Sequence, residues 1–138
     1  MPFLPAVPIM RSFDEAKTKE FYVGFLGFTV DFEHRFEPGM PLYMGISRDG
    51  CRIHLSEHFG DAAPGARIRI EVEDVRALCA ALNAADYRHA RPGCQDMEWG
   101  CTEMTINDPS GNRLTFWSPL PRSEEHTSEL QSRQYLVC

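Results

Sequence analysis

Three side chains that can bind a metal ion or transfer a proton stand close together in the first half of the sequence. They are His54, Glu57 and His58. Imidazole and carboxylate groups are ordinary ligands of transition metals, and a catalytic site normally keeps about three protein ligands. A divalent metal site on these residues is one interpretation. The interpretation we favour is that His54 forms a hydrogen bond on a concave face and that His58 lies on the surface.

No other catalytic arrangement is indicated by the residue pattern. No pair of carboxylates is marked as acid and base, no glycine-rich phosphate loop precedes a helix, and no Ser, His and Asp set has the context of a nucleophile. The cysteines are odd in number and form no Cys-x-x-Cys motif: Cys51, Cys79, Cys94, Cys101 and Cys138. We therefore expect free, mostly buried thiols and no cofactor.

The charge balance excludes one class of partner. The 138 residues include 20 Asp and Glu against 14 Lys and Arg, a formal net charge of −6. Nucleic-acid binding needs a basic surface, so no nucleic-acid partner is expected, whereas a cationic ligand suits an acidic protein. No apolar run approaches the roughly 20 residues of a membrane span, and the apolar N-terminus lacks the basic region of a signal peptide. We expect a cytoplasmic protein with no membrane partner.

The elements that must position these side chains occur twice in the same order. In the first half, Ser12 and Glu15 fit a capping box that would begin a helix, and Gly27 would end it. The segments predicted to be extended are 5–11, 28–36, 42–47, 51–57, 67–72, 87–90, 101–107 and 113–117. A second helix is predicted over 74–85, where apolar residues recur at helical spacing. Each half is therefore strand, helix and three strands.

One such half would leave a sheet face uncovered, so the two halves should pair, with helices outside and a concave face inside. We predict an α+β fold of two βαβββ modules that form a cupped mixed sheet. The single domain would span 1–121, with modules at about 5–58 and 66–120. Residues 122–138 resemble the translation of a sequencing adapter, which indicates a gene assembled from environmental DNA. We expect this tail to be artefactual.

Three segments resemble the vicinal oxygen chelate superfamily, which contains glyoxalases and bleomycin-resistance proteins. The segments are 6–28, which ends FYVGFLGF, 70–82, and 98–116, which contains WG and DPSGN. In metal-dependent members, the resemblance places ligand positions at Val7, Arg67 and Thr115 and on the fourth strand. Valine cannot bind a divalent ion and arginine brings a positive charge. We therefore expect the shared metal site to be lost.

What remains is similar to the bleomycin-resistance branch. The shared features are the AVP opening at 6–8, Asp31, Phe32, Phe36, Trp99 with Gly100, and DPSGN at 108–112. The resemblance implies a homodimer that exchanges its N-terminal strand at Pro8. It also implies crevices that bind a bleomycin-type antibiotic, metal-free or copper-loaded, without modifying it. The alternatives are a metal-dependent lyase or dioxygenase that uses His54 and Glu57, and a binder of another small molecule.

A drug with a flat heteroaromatic part and a cationic tail needs aromatic surfaces and negative charge. The residues predicted to bind it are Phe32, His34, Phe36, His54, Ser56, Glu57, Trp99, Gly100 and Glu103.

Two of these residues have an equally plain structural interpretation. Strand alternation places Phe32 on one face with Phe28 and Val30, so core packing and ligand contact stay open for it. Trp99 could cap the core from its loop instead of stacking on a ligand.

On strand 67–72 the alternating charges predict a self-neutralising ion-pair network on the concave face.

Overall fold

The structure is a computed structural model and describes residues 1–120. Its elements are β1 (Ile9–Arg11), α1 (Glu15–Lys19), a π-helical segment (Glu20–Phe25), β2 (Thr29–His34), β3 (Tyr43–Arg48), β4 (Cys51–Ser56), β5 (Arg67–Glu71), α2 (Val75–Ala84), β6 (Cys94–Asp96), β7 (Cys101–Asn107) and β8 (Arg113–Pro119). The strands form two four-stranded sheets, in the orders β1-β4-β3-β2 and β5-β8-β7-β6. The predicted α+β class and the repeated βαβββ order are confirmed.

The chain divides into two compact units. The first contains Met1–Ile68 and Asn107–Arg113, and the second contains Arg69–Ile106 with the described residues from Leu114. The expected module boundaries, near 58 and 66, stay a prediction, and the adapter-like tail lies outside the described residues. No helix within residues 1–120 is long and apolar enough to cross a membrane.

The first helix begins at a different cap from the one predicted. Asp14 is the N-cap, and its carboxylate accepts a hydrogen bond from the Lys17 backbone N–H at 3.0 Å. Ser12 is buried and its hydroxyl instead bonds to Thr18 Oγ1 at 2.8 Å. The capping-box prediction is therefore wrong, because two residues of the same capping chemistry compete and the buried hydroxyl finds a side-chain partner. Gly27 follows the helix with a φ of +77°, as expected for a terminating glycine.

In the second unit, α2 agrees with the prediction and the next strand does not. Asp74 caps α2 by accepting from the Ala77 N–H at 3.1 Å. Residues 87–90 form a turn, closed by a bond from Ala90 N–H to Tyr87 O at 3.2 Å, in place of the predicted strand. The strand of this region is β6, inside the segment predicted to be a loop, where Cys94–Asp96 pairs with β7.

Alternation along the strands separates a buried face from a second face in the first sheet. Met44 and Ile46 of β3, with Ile53 and Leu55 of β4, are buried. Because successive side chains of a strand point to opposite faces, Tyr43, Gly45 and His54 share the other face. This second face carries most of the residues discussed below.

Candidate ligand-binding surfaces

A β-bulge in β2 decides where Phe32 points. Val30 pairs with Ile46 and Phe32 pairs with Gly45, so Asp31 is an extra residue between two consecutive pairs. An extra residue reverses the alternation of faces along a strand. Phe32 therefore lies on the face opposite to Val30, where it is 43% exposed. The prediction that these two residues share one face is wrong for this reason.

Gly45 makes room for the Phe32 ring on this face. The two residues are cross-strand partners, and a Cβ at position 45 would lie within 2.8 Å of Cδ1 and Cζ of that ring. A glycine inside a strand often marks such a close approach. The phenyl ring thus lies across β3, where any larger residue at position 45 would displace it.

Phe32, Tyr43 and His54 form what we call the aromatic cluster. The Phe32 ring is near-parallel to Tyr43, with centroids 6.2 Å apart at 15°, and meets the His54 ring edge-on at 5.2 Å. The Tyr43 hydroxyl lies 2.7 Å from His54 Nδ1. Burial raises the pKa of Tyr43, and Asp61 raises it further. The phenol therefore keeps its proton at neutral pH, and its hydroxyl and His54 Nδ1 form one hydrogen bond in which either group can be the donor.

His34 and Phe36 extend the aromatic cluster towards the end of β2. His34 is the cross-strand partner of Tyr43. Phe36 is exposed and meets two imidazole rings edge-on, His34 at 4.9 Å and His58 at 5.9 Å. Four of the predicted ligand-binding residues, Phe32, His34, Phe36 and His54, are therefore brought onto one continuous surface.

Ser56 and Glu57 are held in local hydrogen bonds. Ser56 is buried, and its hydroxyl donates to Asp61 Oδ2 at 2.7 Å. Glu57 Oε1 accepts from the Leu42 backbone N–H at 2.9 Å. Both side chains stabilise the chain at the end of β4, and contact of either with a ligand stays a prediction.

The residues do not fit a catalytic metal ion. Glu57 Oε1 already accepts from the Leu42 backbone N–H, so this carboxylate is committed to the chain at the end of β4. Thr115, where the resemblance places a metal-ligand position, has its hydroxyl 3.0 Å from Thr105 Oγ1. Across residues 1–120 there is no group of three His, Cys, Asp or Glu side chains that could hold a metal.

The second unit contains a buried carboxylate with three donors. Glu103 of β7 is 4% exposed. Its Oε2 atom accepts from Trp99 Nε1 at 2.8 Å, from Arg69 Nη2 at 3.1 Å and from the Cys101 thiol at 3.2 Å. Burial alone would raise the pKa of Glu103, but hydrogen bonds from Trp99, Arg69 and Cys101 lower it below its ordinary value. Glu103 is therefore ionised, and the Arg69 guanidinium supplies the compensating positive charge.

The expected ion-pair network on β5 has a different composition. Arg69 forms an ion pair with Glu103 of β7 at 3.1 Å. Its guanidinium carbon also lies 5.6 Å from the centre of the Trp117 ring. The strand order is β5-β8-β7-β6, so the Arg69 side chain reaches past β8 to the Glu103 carboxylate on β7.

Trp99 and Gly100 lie together just before β7. The Trp99 indole is partly exposed and is fixed by its bond to Glu103. Gly100 has a φ of +94°, which favours glycine, and its carbonyl accepts from the Leu120 N–H at 3.0 Å. The structure thus brings Trp99, Gly100 and Glu103 together in the second unit.

Two residues of the first surface were missed by sequence reasoning. Tyr43 holds the His54 ring through a hydrogen bond, and Gly45 leaves the space that the Phe32 ring occupies. A glycine in the middle of a predicted strand is a signal that could have indicated Gly45. Tyr43 could have been indicated by its place two residues before Gly45 on the same face.

Comparison with known proteins defines the class of protein. Residues 1–120 match the family model described as "Glyoxalase superfamily protein". The chain therefore belongs to the glyoxalase superfamily. No curated protein matches the sequence.

Solved structures of the same fold include antibiotic-binding proteins. The chain is 28% identical, with a TM-score of 0.65, to a bleomycin-binding protein from bleomycin-producing Streptomyces verticillus complexed with copper(II)-bleomycin; the match covers 88% of this chain and 99% of that chain. A bleomycin resistance determinant encoded on the transposon Tn5 is 22% identical, with a TM-score of 0.66 and coverage of 85% and 98%. A glyoxalase-related enzyme from Clostridium phytofermentans is 18% identical, with a TM-score of 0.67 and coverage of 87% and 98%.

Proposed function

We propose that this protein binds bleomycin-type glycopeptide antibiotics, metal-free or copper-loaded, and confers resistance by sequestering them unmodified. The observation that carries the proposal is the exposed aromatic cluster on the sheet of the first unit, with the Phe32 ring laid across Gly45. The 28% identical protein complexed with copper(II)-bleomycin supports the choice of ligand.

The geometry of the aromatic cluster suits a flat ligand. Phe32 is held between its cross-strand glycine and the edge of His54 and still exposes 43% of its surface. A ring fixed in this way loses little conformational freedom when a heteroaromatic group stacks on it. Phe36 and His34 enlarge the same surface. The net charge of −6 favours a ligand with a cationic tail.

Sequestration needs affinity and an excess of binder over drug, but no reacting group. The cluster's polar groups, the Tyr43 phenol and His54 Nδ1, bond to each other and hold the surface in shape. The residues at the expected metal positions do not fit an ion, so we derive no reaction step through a metal. Glyoxalase-like or dioxygenase chemistry is therefore the weaker candidate.

We propose further that the protein acts as a homodimer in the cytoplasm, with exchange of the N-terminal strand at Pro8. Within the single chain described here, β1 pairs in parallel with β4, and Pro8 O accepts from the His54 N–H at 2.9 Å. The same hydrogen bonds can form with the β4 strand of a second subunit, which is the requirement for exchange of an identical element.

Calorimetric titration of metal-free and copper-loaded bleomycin into chelator-treated protein tests the function. We expect one binding site per subunit. Replacing Phe32 by Ala should weaken binding at least about tenfold, as expected for the loss of an aromatic anchor. Phe59→Ala is the matched control, because Phe59 is 99% exposed and outside the aromatic cluster. It should bind like the wild type.

Absence of binding, together with stoichiometric nickel, iron or zinc in the purified protein, would favour the metal-dependent enzyme. Equal loss of affinity in the Phe32→Ala and Phe59→Ala variants would remove the aromatic cluster from the proposal while leaving the ligand in place.

A further inference from the structure

We propose that Cys79 and Cys94 form a redox-active dithiol, which small-molecule disulfides of the oxidised glutathione class convert to an intramolecular disulfide. Cys79 lies on α2 and Cys94 begins β6, so both belong to the second unit. The site is separate from the aromatic cluster and does not depend on the proposed antibiotic binding.

Cys79 is joined to the chain that leads into β6. Its thiol donates to the Pro92 carbonyl at 3.4 Å. Asn83, one turn further along α2, donates to the same carbonyl at 2.8 Å and to Cys79 Sγ at 3.5 Å. The carbonyl two residues before Cys94 is thereby fixed against the face of α2 that carries Cys79.

Cys94 lies on that same face of α2. Arg76 stands three residues before Cys79, and residues with this spacing are neighbours on a helix surface. Its Nη1 atom is 3.6 Å from Cys94 Sγ. The carbonyl held by Cys79 belongs to Pro92, two residues before Cys94, and the guanidinium beside Cys94 Sγ belongs to Arg76, three residues before Cys79. The two cysteines therefore face each other between α2 and β6, and both are reduced in this structure.

The surroundings assign the two thiols different roles. Cys94 is partly exposed, so a reagent in solution can reach its sulfur, and the Arg76 guanidinium lies beside that sulfur. Cys79 is 8% exposed, and burial raises its pKa, as does the neighbouring Cys94. Cys94 is therefore the attacking residue and Cys79 the resolving one.

The chemistry balances with the small-molecule disulfide as the oxidant. Cys94 loses its proton to solvent and attacks one sulfur of oxidised glutathione, forming a mixed disulfide and releasing one glutathione thiolate. Cys79 then loses its proton to solvent and attacks Cys94 Sγ, which forms the protein disulfide and releases the second glutathione thiolate. The two protein thiols are oxidised, and one glutathione disulfide is reduced to two glutathione molecules.

Peptide mass mapping of the full chain tests this proposal. The protein is incubated with oxidised glutathione, the remaining thiols are alkylated, and the digest is compared before and after reduction. We expect a Cys79–Cys94 linked peptide pair that disappears on reduction, and a rise in the thermal unfolding midpoint of the oxidised protein, because the link ties α2 to β6.

Single replacements separate the two roles. Cys79→Ser should accumulate a glutathione adduct at Cys94, because the resolving thiol is gone. Cys94→Ser should leave Cys79 largely unmodified over the same time. Cys51→Ser is the matched control, since it removes a partly exposed thiol outside this site and should leave the linked pair unchanged.

The proposal would be overturned if the wild-type digest contained no Cys79–Cys94 pair, or if Cys51 or Cys101 were linked as readily. Stable glutathione adducts on both Cys79 and Cys94 of the wild type would also contradict it. The wild-type digest decides the matter even if a serine variant fails to fold.

Discussion

Glu103 shows how one residue can be buried and charged at once. Three donors converge on a single carboxylate oxygen, and one of them, Arg69, carries the compensating charge. A buried charge is tolerated only when it is paired and hydrogen-bonded. In this protein the arrangement fixes the orientation of Trp99 on the surface of the second unit.

Replacing Glu103 by Gln should lower the free energy of unfolding by about 1–3 kcal/mol at pH 7. Because the folded state lowers the pKa of Glu103, its contribution is complete above the ordinary glutamate value of 4.5 and is lost as the pH falls through the lower folded value. The difference between wild type and Glu103→Gln should therefore shrink as the solution is acidified below pH 4.5.

Urea unfolding of both proteins at a series of pH values measures this difference. Glu71→Gln serves as the control, because Glu71 is exposed on β5 and should change stability little at any pH. If the difference in unfolding free energy between wild type and Glu103→Gln stayed constant down to pH 3, the charge of Glu103 would not be the cause of that difference.

Gly45 is the residue on which the position of the Phe32 ring depends. Gly45→Ala should push the ring off β3 into solvent, since the ring is partly exposed and can move. Stability should change little, but bleomycin affinity should fall about three- to tenfold, the value of one aromatic contact. Calorimetric titration beside thermal unfolding measures the two effects separately.

Gly93→Ala is the matched control, because nothing lies within 4 Å of a Cβ at that position. In a Phe32→Ala background, Gly45→Ala should cost no further affinity. Additive losses in the double variant would mean that Gly45 acts through something other than the Phe32 ring.

At the scale of elements, the π-helical segment is tied to a turn far away in the sequence. The Tyr22 hydroxyl donates to Asp108 Oδ2 at 2.7 Å, in the 107–113 segment of the first unit. Asp108 also accepts from the Ser110 and Asn112 backbone N–H groups at 2.8 Å. The DPSGN motif, which the sequence indicates only as a feature shared with the family, therefore anchors a helix through Asp108.

Replacing Tyr22 by Phe should lower the free energy of unfolding by about 1–3 kcal/mol, because a buried carboxylate loses a donor and gains no water. Denaturant unfolding measures the effect. Repeating the replacement in an Asp108→Asn background forms a double-mutant cycle, in which Tyr22→Phe should cost less. An equal cost in both backgrounds would place the effect in ring packing rather than in the hydrogen bond.

Sequence patterns predicted the elements better than they predicted side-chain directions. The position of α2 was predicted from its apolar residues, because Val75, Cys79 and Leu82 recur at helical spacing and are all buried. The bulge at Asp31 could not be predicted from the sequence, because the alternation of apolar and polar residues does not show where a strand contains an extra residue. The same limit hid β6, whose three residues are too few to show any period.

The sequence predicted which residues form the candidate surface but not the strand order that sets their contacts. Phe32, His34, Phe36 and His54 were named from residue type and resemblance, and the register brings them onto one face. The partner of Arg69 lies on β7, two strands away from β5 in the sheet, and strand order is not contained in sequence spacing.

At the scale of the whole molecule, the N-terminal arm is the feature that bears on assembly. Phe3 is 94% exposed and Leu4 is 83% exposed in the single chain. Apolar side chains at such exposure are candidates for burial in a partner. This arm directly precedes β1, the strand proposed to be exchanged.

We expect a solution mass of twice 15.7 kDa, measured by light scattering after size-exclusion chromatography. Replacing Phe3 and Leu4 by Ser should shift the protein towards monomer at low concentration, because the buried apolar area is lost. Phe59→Ser is the control for an equally exposed ring and should leave the mass unchanged. A wild type that is monomeric at every concentration would contradict the proposed dimer.

The additional residue in β2 has a consequence for how this protein could acquire new ligands. Because Asp31 turns the next side chain away from the packed interior, replacing Phe32 should cost less folding free energy than replacing a core residue such as Ile46. Residue 32 can therefore change with ligand preference while the core stays intact. A saturation library there should yield mostly well-folded proteins that differ in what they capture.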